Sequence, residues 1–128
     1  METTKRLLTP GMIDAPLKLH LLLLFYHHPR YCGDSRSLSE WLHEGPWAVQ
    51  ESLDALSEAG FLGRIECDGR TCYRLEPSPE HWDTLEQLVT HYEDPLRRDI
   101  IYDLLHQADL ERQFRASTAT AHEWVFPG

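Results

Sequence analysis

At 128 residues the chain fits one domain and is long enough to bury a core, and 41% apolar residues with four Trp suit a folded globular protein. The formal net charge of −9 creates a field that repels DNA phosphates and anionic lipid over about a Debye length, ~8–10 Å at physiological salt. Three Cys, an odd number, argue against a disulfide scaffold; with no visible signal peptide and no ~18–20-residue apolar run, a cytoplasmic protein without membrane contact is expected.

Residues 1–13 show no period and are expected to form an arm with Lys5 and Arg6. "DAPLKLHLLLLFYHHP" then predicts a helix. Asp14 can cap it, Pro16 suits its first turn, and Pro29 stops it. It is apolar nearly all round, which marks a central buried helix. After the link "YCGDSRS", the run Ser37-Leu38-Ser39-Glu40 matches a capping box for a brief helix. Gly45 breaks that helix and Pro46 starts another at once, which is a helix-turn-helix spacing.

The helix from Pro46 carries Val49, Leu53 and Leu56 on one side, and Gly60 ends it. Opposite them lie Glu51, Asp54 and Glu58, within about 60° of one another at 100° per residue. "FLGRIEC" and "TCYRLEP" around "DGR" predict a hairpin. "PEHWDTLEQLVTHYE" and "PLRRDIIYDLLHQADLERQF" predict two more helices, and "RASTATAHEWVFPG" a tail.

This order resembles the winged helix-turn-helix fold of bacterial transcription regulators of the MarR and ArsR type. The resemblance rests on Val49, Leu53, Leu56, Gly60-Phe61, Asp68-Gly69 and Tyr73-x-Leu75, within about residues 15–76. It implies an α+β fold: an arm over 1–13, a winged-helix domain over 14–78, C-terminal dimerisation helices over 79–115, and a tail over 116–128. The implied function is a homodimeric DNA-binding regulator, with Arg36, Trp47, Gln50, Ser52, Arg64, Arg70 and Arg74 as candidate DNA contacts.

The charge pattern departs from that family. Residues 34–60 hold Arg36 against six acids, and three of these occupy the face that would meet DNA. DNA binding draws gross affinity from neutralised phosphates, so this stripe opposes it. The alternative is a winged-helix protein-interaction module that uses Glu51, Asp54 and Glu58 to dock a basic partner. A plain solvated face is equally compatible with the stripe. Trp47 is either a partner anchor or folded back on the neighbouring helix.

Leu88, Leu96, Ile100, Ile101, Leu104 and Leu105 give the C-terminal helices more apolar surface than one docking stripe needs, so a second copy is expected. Cys67 and Cys72 flank the hairpin tip. They are candidates for a redox pair or are small half-buried strand residues. A metal site joining them to Cys32 or to His27 and His28 is disfavoured, because C-x₄-C is not a usual zinc spacing. No phosphate loop, nucleophile elbow or zinc-protease motif occurs, so neither an enzyme nor a cofactor is expected.

Overall fold

Proline and glycine set most of the boundaries. The structure is a computed structural model that describes residues 6–8 and 12–125, with side chains as far as residue 114. Helix α1 spans Pro16–His27, α2 Ser35–Leu42 and α3 Pro46–Glu58. Strands β1 (Leu62–Cys67) and β2 (Arg70–Leu75) form an antiparallel hairpin, followed by α4 (Pro79–Glu93) and α5 (Pro95–Val125). The fold is therefore α+β, with five helices and one hairpin among the described residues.

Helix α1 is the central element. Leu19, Leu21, Leu22, Leu23 and Phe25 are buried on it, and it packs against α3, α5 and β2. Asp14 does not cap it. The cap position is Ala15, with no side-chain bond. Asp14 is instead buried and ion-paired to Lys18 Nζ at 2.6 Å, with Arg112 Nε 3.9 Å away. A buried carboxylate needs such cations, and that requirement wins over capping.

Helix α2 begins earlier than the capping-box pattern implies. Asp34 Oδ1 accepts from the Ser37 backbone N–H at 2.9 Å, which puts Ser37 inside the helix. Asp caps as well as Ser, and starting at Asp34 adds a turn. The helix ends on His43 in the left-handed region (φ 56°), and Gly45 becomes the N-cap position of α3. The hairpin turns at Asp68 (φ 50°) and Gly69 (φ 76°), the paired left-handed geometry that matches the twist of a two-residue hairpin.

Two differences concern the ends. Leu7, Leu8 and Ile13 are buried in the main core, so the segment before α1 is not a free arm where it is described; Lys5 lies outside the described residues. The last helix continues to Val125 instead of giving way to a tail near residue 115. One core joins α1, α3 and the hairpin to Leu85, Leu88 and Val89 of α4 and Ile101 and Leu105 of α5. Leu88, Ile101 and Leu105 are therefore internal, Leu104 is half-buried, and Leu96 and Ile100 face outward. No helix among the described residues is long and apolar enough to cross a membrane.

Candidate functional site

The surface of α3 meets the hairpin through one carboxylate oxygen. Asp54 Oδ1 accepts from Tyr73 OH at 2.7 Å, Gln50 Nε2 at 3.1 Å and an Arg64 guanidinium nitrogen at 3.3 Å. Gln50 also donates to Tyr73 OH at 2.7 Å. The reason is register. Gln50 and Asp54 lie one helical turn apart on α3, while Arg64 pairs directly with Tyr73 across the hairpin. Four side chains thus converge on the seam between helix and hairpin.

This splits the acid stripe. Asp54 belongs to the seam, whereas Glu51 and Glu58 are exposed. Burial pushes the Asp54 carboxyl up, but the bonds from Tyr73, Gln50 and Arg64 outweigh it and hold it below its ordinary range. Asp54 is therefore not an interchangeable surface charge.

The candidate DNA contacts are largely engaged within the chain. Gln50 is in the seam and Ser52 is buried. Arg64 pairs with Asp54 (3.3 Å), Arg70 with Asp34 (3.4 Å), Arg74 with Glu76 (3.3 Å) and Arg36 with Glu40 (3.9 Å). Trp47 alone is unencumbered. It is 83% exposed, so it does not fold back on α2.

A second cluster lies on the opposite face of the hairpin, toward its tip. The Gly33 N–H donates to the Tyr73 carbonyl at 3.1 Å, and the Tyr73 N–H donates to the Gly33 carbonyl at 2.8 Å. This bridge lays the α1–α2 link against β2 and brings Cys32 beside Cys72. Cys67 pairs with Arg70 and Cys72 with Ile65, so the two strand thiols are diagonal neighbours on one face. The three Sγ atoms lie within 4.8 Å of one another. They sit in a pocket of about 560 Å³ with Tyr31, Asp34 and Arg70 on its walls. Burial and the neighbouring Cys32 and Cys67 push the Cys72 thiol up to about 11. The sequence pattern paired Cys67 with Cys72 and set Cys32 aside; the Gly33–Tyr73 bridge, which no spacing signals, brings it in.

Asp34 ties this pocket to α2. The Ser37 backbone N–H, and more weakly Arg70, lowers its carboxyl below the usual range. A depressed folded-state pKa means stability is fully present above the unfolded value, ordinarily 3.8, and is lost as pH falls through the folded value. Thermal midpoints should therefore hold steady down to about pH 5 and fall below about pH 4. The double variant Asp34→Asn with Asp54→Asn should show a flatter acid limb, and an unchanged limb would show that other carboxylates control it.

No known protein family, curated protein or solved structure matches the chain.

Proposed function

We propose that the chain is a winged-helix protein-interaction module that acts as a homodimer and does not read DNA through α3. The supporting observation is the Gln50–Asp54–Tyr73–Arg64 seam. Gln50 and Arg64, which the resemblance would place on DNA, are both bonded to Asp54, and the exposed charge left on α3 is Glu51 and Glu58. Trp47 stands open one helical turn before Glu51 on the same helix. An exposed indole one turn from a carboxylate suits a basic peptide segment carrying an apolar anchor.

A DNA-binding regulator is the second reading. The order helix-turn-helix then hairpin favours it, as does the ease with which exposed ion pairs exchange partners, each being worth ~0–1 kcal/mol. Titration into labelled random duplex DNA at low salt separates the two. The interaction module shows no binding, while a regulator binds with an affinity that falls steeply as salt rises. For the module, a lysine-rich amphipathic peptide should bind with salt-sensitive association. Glu51→Gln with Glu58→Gln should slow that association without changing the unfolding midpoint, since each exposed change alters stability by less than about 0.5 kcal/mol. Equal peptide binding by the variant would remove the acidic face from the mechanism.

A further inference from the structure

We propose that Cys32, Cys67 and Cys72 form a binding site for a thiophilic d¹⁰ cation, zinc(II) or copper(I), at the junction of the α1–α2 link and the hairpin tip. All three thiols are free, and their sulfurs lie within 4.8 Å of one another. A metal–sulfur bond of about 2.3 Å places three sulfurs about 3.8–4.0 Å apart around one ion. Closing from the observed spacing needs about 1 Å or less of movement. Cys32 and Cys67 are exposed and can turn about χ1 to supply it.

The hairpin register favours a shared ion over a disulfide. Diagonal positions on neighbouring strands lie ~7–8 Å apart at Cα, whereas a disulfide wants Cα atoms about 5.5–6 Å and Cβ atoms about 3.8 Å apart. A metal bridge tolerates the wider spacing and uses the third thiol, which a disulfide would leave over. Soft thiolates select copper(I) and zinc over magnesium or calcium.

Binding releases three thiol protons to solvent as three metal–sulfur bonds form, with no change in sulfur oxidation state. A zinc tris-thiolate carries a net −1 charge. Arg70 lies on the pocket wall beside it, held by Asp34 Oδ2 at 3.4 Å. Asp34 is already engaged as the α2 cap, so the fourth position on zinc opens to the pocket, where a solvent molecule fits. Copper(I) needs no fourth ligand. The core is built without the three thiols, so the ion does not create the fold. It clamps the hairpin tip to the segment that leads into α2.

The experiment titrates the reduced, metal-stripped full chain with zinc(II) and, in a separate anaerobic arm, copper(I). Each arm competes against a chelator of known affinity, while a thiol reagent counts reactive cysteines. One ion per chain in either arm, with all three thiols protected and the unfolding midpoint raised, is the expected result. Cys32→Ser, Cys67→Ser and Cys72→Ser should each weaken binding more than about 100-fold, beyond the 10–100-fold that loss of an outer-shell partner costs. Their metal-free midpoints should match that of the unaltered chain, which separates ligand loss from misfolding. His27→Gln with His28→Gln should bind as the unaltered chain does. The proposal is overturned if neither ion binds, if the triple Ser variant binds as tightly, or if the titrated protein holds a Cys67–Cys72 disulfide that persists with metal present.

Discussion

A chain carrying Ile100→Asp together with Leu110→Asp is expected to run as a monomer at concentrations where the unaltered chain runs as a dimer. On α5, Leu96, Ile100, Leu110 and Phe114 fall within about 80° of one another, and all four are exposed, at 78%, 44%, 51% and 72%. They repeat at steps of four and three through Asp103 and Gln107, the spacing of a two-helix seam. The pattern is also symmetric about Leu105. If two copies of α5 cross antiparallel there, Leu96 meets Phe114 of the other copy, Ile100 meets Leu110, and Asp103 meets Gln107. A two-fold interface requires such self-complementarity. The double Asp variant buries four unpaired carboxylates per dimer, a cost of several kcal/mol that abolishes association. Antiparallel crossing has its own signature. Gln107→Lys sets a cation opposite Asp103 and should tighten the dimer at low salt. In parallel pairing the same change sets Lys against Lys and loosens it. Light scattering across a concentration series decides both, and a monomeric unaltered chain at micromolar concentration would sink the dimer.

Element types were legible because each rests on local signals. Pro16, Pro46 and Pro79 stand at helix starts, Asp68-Gly69 supplies the hairpin turn, and Val49, Leu53 and Leu56 form a stripe that the structure buries. What local signals miss is competition. Ser37 fits a capping box, but Asp34 lies three residues earlier and takes the role. Asp14 fits a cap, but burial beside Lys18 and Arg112 claims it as an ion-pair partner. The acid stripe was visible as geometry, yet its division was not. Asp54 differs from Glu51 because Tyr73 and Arg64, nineteen and ten residues on, reach it from the hairpin. Cys32 joined the other thiols by the same kind of non-local contact, through Gly33. Sequence period places a side chain on a face; it does not tell which partner occupies that face.

Tyr73 is where these non-local contacts meet, so its two substitutions should separate sharply. The side chain is almost fully buried. Its backbone holds the α1–α2 link through Gly33, its hydroxyl bonds Asp54 and Gln50, and its ring belongs to the main core. Tyr73→Phe keeps the ring and the backbone bridge. Asp54 and Gln50 are only part-buried and can take water in place of the hydroxyl, so the loss should be about 1 kcal/mol. Tyr73→Ala removes the ring as well and leaves a cavity under the hairpin, so about 3–5 kcal/mol should go. Against a typical net stability of about 5–15 kcal/mol for a domain, the second change takes a large share. At roughly 3–5 °C per kcal/mol for a domain of this size, the midpoint should fall by about 10–20 °C for Tyr73→Ala and by about 3–5 °C for Tyr73→Phe. Equal losses would mean that the hydroxyl network, not ring burial, holds the hairpin. Hydrogen exchange locates the effect. Tyr73→Phe should speed exchange around the Arg64–Tyr73 pair of β1 and β2 while α1 and α4 keep their protection, because the hydroxyl seam joins only α3 to the hairpin.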